Sequence, residues 1–351
     1  MASDPLKSLF PWLLRGLSKS DGEALREALT EQRLEADEIL IPPGRKTQHL
    51  HLLCEGRLAV QAGAKGEILL GHKEPGDFVG EMALIDPAPP SAVVVAETPC
   101  VVRTLSRPDY IRFRTQHPQV AGNLLSAICC DLARRIRASS VATVTSDGRG
   151  HKTIHPGTKA LHGVDRQDVR VSWSPLKTGK ATTMSADGLM KTLQSIGAFD
   201  PAGREEPTYA DALRRDVNAL AASMTVHVYF DGETICEPHT LGDGLYVVLE
   251  GKARVRAEAA GPGIHVDKLL APGESFGLIP FFDDGRRTSL VTASGVTVVA
   301  YAYAATVRTL LQAAEGGQPI GVHLMDWFAR QLVRDARSLN RTLATADAGA
   351  F

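Results

Sequence analysis

The side chains with the clearest chemistry lie in two similar stretches, residues 75–92 and 272–289. Each stretch has a Pro-Gly turn, a further glycine, a short predicted helical turn and a return into a strand. The first N–H groups of such a turn lack backbone partners and can hold an anion. Glu81 in the first stretch can accept hydrogen bonds from a hydroxyl, and Arg287 in the second can pair with phosphate oxygens. The two stretches therefore predict anion cradles.

The length and charge of the chain limit its number of domains and its possible partners. A chain of 351 residues has room for two domains of ordinary size. Its 39 Lys and Arg residues nearly balance its 40 Asp and Glu residues, which leaves a formal net charge of −1. That balance provides no overall field for nucleic acid or for an acidic membrane. We expect no direct DNA binding and no membrane association.

Cysteine use and hydropathy indicate the compartment. The five cysteines have no spacing typical of a disulfide framework, and Cys129 and Cys130 are adjacent. The apolar run at residues 9–14 is too short for a signal or a spanning segment, and no later run approaches membrane length. We therefore expect a soluble, cytoplasmic protein.

Hydrophobic periodicity places the first stretch among strands that helices flank on both sides. Residues 4–36 have helical spacing and predict two short helices, after which the period changes to two and predicts successive short strands. A long amphipathic helix is predicted from Val120 to Ser139, with Arg134, Arg135 and Arg137 near its end, where cations suit the helix dipole. We call this the first closing helix.

The same order of elements returns after residues 141–184, which are rich in Gly, Ser, Thr, Lys and His and predict a connector. The sequence Glu55-Gly56-Arg57-Leu58 matches Glu250-Gly251-Lys252-Ala253, and the Pro-Gly turns follow at nearly the same offset. A second closing helix is predicted from Val322 to Leu339. Repeated motifs in a fixed order indicate an internal duplication. We predict a first domain at 1–140, a connector at 141–184 and a second domain at 185–351.

The run Gly80-Glu81-Met82-Ala83-Leu84, with its later Pro-Ser-Ala return, resembles the phosphate-binding cassette of cyclic nucleotide-binding domains. That family includes bacterial catabolite activators and regulatory subunits of protein kinase A. We call residues 75–92 cassette 1 and residues 272–289 cassette 2. The resemblance implies a mainly β fold with flanking helices: two jelly-roll-like β-barrels, each with N-terminal helices and a long closing helix.

The resemblance also implies which residues meet a ligand, and each cassette departs from the pattern at one position. The family's glutamate, which accepts from the ribose hydroxyl, is Glu81 in cassette 1 but Leu278 in cassette 2. The family's arginine, which pairs with the cyclic phosphate, is Arg287 in cassette 2 but Pro90 in cassette 1. The predicted ligand-binding residues are Gly80, Glu81, Met82, Ala83, Ser91, Ala92, Gly277, Arg287, Thr288 and Ser289.

Because each cassette lacks one half of the family's contacts, we predict weak binding of cyclic AMP or cyclic GMP by the usual contacts. A cation such as Arg57, Arg103 or Arg134 could supply the charge that Pro90 lacks. The candidate ligands are cyclic AMP, cyclic GMP or a related cyclic nucleotide, and no cofactor is expected. No spacing completes a metal site around the histidines, and the P-loop-like run at 177–182 lacks its leading glycine.

Two functions follow from this pattern. The first is a non-enzymatic regulatory protein that senses a nucleotide through one cassette and transmits the signal by movement of the closing helices. The alternative is an interaction or dimerisation scaffold with empty pockets. No nucleophile and base set supports an enzyme, and the chain shows no helix-turn-helix after a closing helix. The apolar closing helices predict packing against a like partner, within or between chains, with a homodimer favoured and a protein partner as a further possibility.

Overall fold

The computed structural model describes residues 4–44, 46–62, 68–90, 92–141, 185–199, 207–242, 244–258, 265–283, 285–315 and 321–348. The chain divides into two compact units. The first unit comprises Met1–Arg134, Glu205–Asp216 and Arg308–Phe351. The second comprises Arg135–Arg204 and Val217–Val307. Nearly all of the predicted connector lies outside the described residues.

The first repeat is built from short antiparallel strands between helices. In chain order it contains α1 (Pro5–Leu9), α2 (Lys19–Ala28), β1 (Leu29–Leu34), β2 (Ile39–Ile41), β3 (His49–Glu55), β4 (Leu58–Ala62), β5 (Ile68–Lys73), β6 (Phe78–Val79), α3 (Glu81–Ile85), β7 (Val93–Ala96), β8 (Cys100–Ser106), α4 (Arg107–Gln116) and α5 (Pro118–Val141). The strands form two four-stranded sheets, in the orders β1-β8-β3-β6 and β2-β7-β4-β5. Buried residues from both sheets, including Leu53, Leu58 and Val102, form one core cluster.

The helical interpretation of residues 4–36 was wrong at its end. α2 stops at Ala28, and Leu29–Leu34 pairs antiparallel with β8 from Leu29↔Leu105 to Leu34↔Cys100. Only its two end residues are buried, so β1 has the burial of an edge strand and lacks the alternation by which a strand is recognised.

The second repeat follows the same plan with longer strands. In chain order it contains α6 (Ala186–Ser195), α7 (Pro207–Ala221), β9 (Thr225–Tyr229), β10 (Thr234–Cys236), β11 (Gly244–Glu258), β12 (His265–Leu270), β13 (Ser275–Phe276), α8 (Ile279–Phe282), β14 (Leu290–Tyr303), α9 (Ala304–Glu315) and α10 (Val322–Ala348). The long strands β11 and β14 pair with each other, and β10, β12, β13 and β9 attach to them in one six-stranded sheet. The pairing shifts register around Glu250, where β11 carries the Glu-Gly pair that separates β3 from β4 in the first repeat.

The closing helices α5 and α10 occupy the predicted positions; α5 is slightly longer at both ends, and α10 continues well past Leu339 to Ala348. Their apolar faces are buried within the single chain, as Leu124, Leu132, Phe328 and Leu332 show. α10 belongs to the first unit although it closes the second repeat. None of the described helices combines the length and apolar character needed to cross a membrane.

A buried ion cluster holds α10 in the first unit. Asp326 has no solvent exposure; it accepts hydrogen bonds from the hydroxyls of Tyr110 and Tyr209, the latter at 2.5 Å. Arg330 Nε lies 2.8 Å and Arg114 Nη1 3.2 Å from its Oδ2. Burial alone would raise the pKa of Asp326, but the two arginines and the hydroxyls outweigh it and lower the pKa to about 2. The carboxylate therefore stays charged and ties α10 to α4 and α7.

Candidate functional site

Cassette 1 begins with a glycine that its backbone requires. Gly80 has φ of 88°, and a Cβ there would lie 2.2 Å from the carbonyl oxygen of His49. The tight approach sets the direction of α3, whose first three residues are Glu81, Met82 and Ala83. All three are buried, and Glu81 is only 5% exposed. The structure therefore places a buried carboxylate at the start of the cassette helix.

A neutral histidine lies beside this glycine. The ring of His51 would come within 3.5 Å of a Cβ on Gly80, and its Nδ1 is 2.9 Å from the hydroxyl of Thr104. Burial, with a smaller effect from His49, lowers the pKa of His51 to about 4. His51 therefore brings no positive charge to cassette 1 at neutral pH.

Two arginines that the sequence did not indicate lie at the other end of α3. Arg107 Nη1 donates to the carbonyl oxygens of Leu84 and Ile85, the latter at 3.0 Å. Arg337 Nη2 donates to Met82 O at 3.2 Å and to Asp86 O at 2.6 Å, and its Nη1 pairs with the Asp86 carboxylate. Cations suit the carboxyl end of a helix, where carbonyl groups lack partners.

The three cations proposed to replace the missing arginine make their contacts elsewhere. Arg57 pairs with Glu97 at 2.5 Å, and Arg103 pairs with Glu31 at 3.0 Å. Arg134 donates to Cys130 O on its own helix and lines a cavity beside the Pro-Gly turn. Arg57 and Arg103 are thus held by carboxylates outside cassette 1, whereas a role for Arg134 in supplying the charge stays a prediction.

The return of cassette 1 is described only in part. Pro90, which stands at the family's arginine position, and Ala92 are both half-buried. Ser91 lies outside the described residues. The arginine position thus carries a ring with neither charge nor N–H.

Cassette 2 contains a buried arginine held against its backbone. Gly277 has φ of 89°, and a Cβ there would lie 2.7 Å from Gly244 O and 3.3 Å from Arg287 Nη1. Arg287 is 6% exposed, and its guanidinium lies 5.3 Å from the centre of the Tyr246 ring. Tyr246 in turn stacks on Phe276 at 4.9 Å. Aromatic packing therefore fixes the guanidinium beside the cassette glycine.

The rest of cassette 2 is poorer in polar groups than the pattern implies. Leu278, at the glutamate position, is 4% exposed and caps the four-residue helix α8. Pro280 within α8 has no N–H, which removes one donor from the predicted cradle. Thr288 and Ser289 are half-buried with hydroxyls 3.3 Å apart. Cassette 2 offers a guanidinium and hydroxyls but no carboxylate at the family's position.

A second arginine binds the carboxyl end of α8. Arg137, near the end of α5, pairs with Asp283 through Nε at 2.5 Å and Nη2 at 2.7 Å. Its Nη2 also donates to the carbonyl oxygen of Arg286 at 2.5 Å. The arrangement resembles that of Arg337 with Asp86 in cassette 1.

The described residues of the first unit also enclose a cavity of about 300 Å³. It lies between the N-terminal segment with Trp12, the turn before β6 and the face of α5 that carries Asn123. Of cassette 1 only residues 76–78 line it, whereas Gly80, Glu81, Met82 and Ala83 do not. This cavity therefore lies next to cassette 1 and is not lined by these predicted ligand residues.

Three further features bear on a possible site: the aromatic residue Trp327 of α10, the residue types that bind metals and the P-loop-like run. Trp327 is buried on α10 with its ring 5.5 Å from that of Phe328. Within the described ranges, no three His, Cys, Asp or Glu side chains come together as a metal site. The P-loop-like run at 177–182 lies outside the described residues.

Comparison with known proteins gives the family. The model of the cyclic nucleotide-binding domain matches residues 31–117 and 226–314, which together make up half of the chain. The chain is 26% identical over 298 residues to a cAMP-dependent protein kinase regulatory subunit of Yarrowia lipolytica, with 84% of this chain and 58% of the relative covered. It is 34% identical over 104 residues to the cAMP-activated global transcriptional regulator CRP of Escherichia coli O157:H7, with 29% of this chain and 48% of the relative covered. The chain thus spans less than two thirds of the length of these relatives.

Among solved structures, the chain is similar to the regulatory domain of Toxoplasma gondii PKA with cAMP, at 19% identity and a TM-score of 0.30 over 89% of this chain and 92% of that chain. Because this TM-score is low, the family assignment rests on the match to the domain model and not on the solved structure. Both matched segments contain a cassette helix between antiparallel strands, as the sequence predicted. The chain belongs to the cyclic nucleotide-binding domain family and carries two copies of the domain in tandem.

Proposed function

We propose that this chain is a non-enzymatic regulatory protein that binds a cyclic nucleotide, or a related nucleotide messenger, through its divergent cassettes. The observation that carries the proposal is Arg287, a buried cation held beside the cassette glycine Gly277 by packing on Tyr246. A guanidinium in this setting matches phosphate oxygens in geometry and charge. The relatives named above as cAMP-dependent and cAMP-activated make cyclic AMP the first ligand to test.

The two cassettes divide the recognition of such a ligand. Cassette 2 offers Arg287 to the phosphate, whereas cassette 1 offers the buried carboxylate of Glu81 to a hydroxyl. Losing one charge-assisted contact at a buried anion site costs about 2 to 5 kcal/mol. We therefore expect each cassette to bind a cyclic nucleotide more weakly than a complete cassette would.

The proposal extends to how the signal leaves the site. The closing helices α5 and α10 would pass the state of the cassettes to a protein partner, because each makes an arginine contact with a cassette helix. The domain limits 1–140 and 185–351, the connector between them and a cytoplasmic location belong to this proposal.

The alternative function is an interaction scaffold, and Leu278 favours it. A packed leucine where the family has its glutamate leaves cassette 2 without a group to recognise ribose. In that case the domains would serve for docking or dimerisation, and no nucleotide would bind.

Calorimetry against cyclic AMP, cyclic GMP and other cyclic nucleotides, together with thermal unfolding, separates the two functions. We expect at least one nucleotide to release or absorb heat and to raise the unfolding temperature by mass action. Arg287→Ala should weaken binding much more than Glu81→Ala if cassette 2 is the occupied one, and the reverse if cassette 1 is.

The matched control is Arg286→Ala, which removes a neighbouring exposed arginine. Negligible effects of both Glu81→Ala and Arg287→Ala, with no heat from any nucleotide, would overturn the proposal in favour of the scaffold.

A further inference from the structure

Two arginine–aspartate pairs occupy matching places in the two repeats. Asp86 follows the cassette glycine Gly80 by six residues, as Asp283 follows Gly277. Each aspartate ends its short cassette helix, as the C-cap of α3 or of α8. Each pairs with an arginine from a closing helix, and that arginine also donates to main-chain carbonyl groups of the same cassette.

The arginines themselves occupy equivalent positions. Arg137 follows the fully buried Leu132 of α5 by five residues, and Arg337 follows the fully buried Leu332 of α10 by five. Each arginine, however, pairs with the cassette of the other repeat and not with that of its own. Arg337, on the closing helix of the second repeat, pairs with cassette 1 inside the first unit. Arg137, on the closing helix of the first repeat, pairs with cassette 2 inside the second unit.

We propose that Arg337 and Arg137 are positioning residues, each of which completes the cassette of the other repeat. This inference rests on the proposed function, because it concerns the same cassettes. Its physical basis is the length of the cassette helix: α3 has five residues and begins at Glu81. Arg337 binds the carbonyl oxygen of Met82, the second residue of the helix, and that of its C-cap Asp86, so its contacts span the helix. A contact that fixes one end of so short a helix also fixes the other.

The contacts do more than neutralise an aspartate. In cassette 1, Arg337 bridges the Asp86 carboxylate and two carbonyl oxygens, so its planar fork fixes the direction in which α3 ends. In cassette 2, Arg137 bridges Asp283 and the carbonyl oxygen of Arg286, which directly precedes Arg287. Arg137 therefore acts on the residue beside the phosphate-binding candidate, and Arg337 acts on the helix that carries Glu81.

Burial indicates which contact is the stronger. The Asp283 side chain is 3% exposed and Arg137 is 18% exposed, whereas Asp86 is 36% and Arg337 14% exposed. Exposed ion pairs contribute little, and buried ones are costly to break. We expect the loss of Arg137 to loosen cassette 2 more than the loss of Arg337 loosens cassette 1.

The consequence for function is coupling between the repeats. A cassette is in its binding geometry only while the closing helix of the other repeat is docked on it. A ligand that requires that geometry therefore favours docking, and undocking lowers the affinity for the ligand by the same factor.

Hydrogen exchange on the full-length chain tests the inference without any ligand. In Arg337→Ala we expect amide exchange in residues 81–85 to speed up on the order of tenfold, with little change in 279–282, and in Arg137→Ala the reverse. The matched controls are Arg334→Ala and Arg134→Ala, three residues earlier on each helix and both exposed. Arg337→Lys, which keeps the charge but not the fork, should give an intermediate effect and guards against a variant that fails to fold.

A second measurement adds cyclic AMP as the probe. Protection that cyclic AMP gives to residues 81–85 should be lost in Arg337→Ala and kept in Arg334→Ala. If no nucleotide binds but exchange changes at the opposite cassette, the proposed function fails and the positioning role stands. If each arginine changes exchange only in its own repeat, or equally in both, the positioning role is overturned whatever the nucleotide does.

Discussion

At the scale of single residues, the two cassettes carry complementary halves of one recognition chemistry. Glu81 keeps the carboxylate that accepts a hydroxyl proton, and Arg287 keeps the guanidinium that matches a phosphate. Pro90 and Leu278 occupy the two vacated positions, one half-buried and one buried. Since neither replacement can be charged, no change of pH restores the missing contact.

The first prediction concerns Pro90. Restoring the arginine with Pro90→Arg should strengthen binding of cyclic AMP by about ten- to a hundredfold, equivalent to about 1.4 to 2.8 kcal/mol, because a guanidinium returns to the family's phosphate position. Isothermal calorimetry measures the change.

The control for this change is Pro90→Ala, which removes the ring and its fixed φ without adding charge. An equal gain in both variants would assign the effect to loop freedom. Submicromolar binding of cyclic AMP by the wild type, with no gain in Pro90→Arg, would contradict the view that cassette 1 lacks its cation.

At the scale of elements, the start of α10 depends on a buried carboxylate from α7. Asp216 is 3% exposed, and its Oδ2 accepts hydrogen bonds from the N–H groups of His323 and Leu324, each at 3.2 Å. It thereby satisfies donors that the first turn of a helix leaves without partners. Burial nevertheless outweighs these hydrogen bonds and the nearby Arg215, and it raises the pKa of Asp216 to about 6.

The second prediction is the pH dependence that follows. Between about pH 4 and pH 6 the folded protein binds a proton that the unfolded chain has released, so the contribution of Asp216 to the free energy of unfolding falls as pH rises. Relative to Asp216→Asn, the wild type should lose about 2 to 3 kcal/mol over that window. Urea unfolding at a series of pH values measures it.

The group that faces Asp216 is His323, whose Nδ1 lies 3.8 Å from its Oδ2. His323→Gln is therefore the control, and it should keep the pH slope if the carboxylate is the titrating group. A slope that survives in Asp216→Asn and disappears in His323→Gln would assign the titration to the histidine instead.

At the scale of the whole molecule, the apolar faces of the closing helices are buried within one chain. The sequence predicted packing against a like partner within or between chains, and the buried positions of α5 and α10 are covered inside a single chain. The intramolecular form of that prediction explains the burial without a second copy. A homodimer would therefore need another surface.

The third prediction is the mass in solution. Light scattering at micromolar concentration should give the mass of one chain, because the apolar side chains of α5 and α10 that the structure describes as buried are already covered. A concentration-dependent doubling of mass would instead support the homodimer.

The sequence by itself determined the tandem repeat, most of the strand and helix order and the places of the two cassettes, but it missed β1. These features depend on residues that are close together in the sequence: Pro-Gly turns, period-two strands and a glycine before a short helix are local signals. Gly80 and Gly277 are examples: each is a glycine before a predicted short helix, and each adopts a positive φ.

Only the tertiary structure decided which cations meet the cassettes and which elements form each unit. Arg337 and Asp86 are 251 residues apart, and Arg137 and Asp283 are 146 apart. The sequence explained the arginines of α5 by the helix dipole, because periodicity shows which face of a helix is apolar but not which element that face meets. Contacts over such separations depend on how the whole chain folds back, and no local pattern records that path.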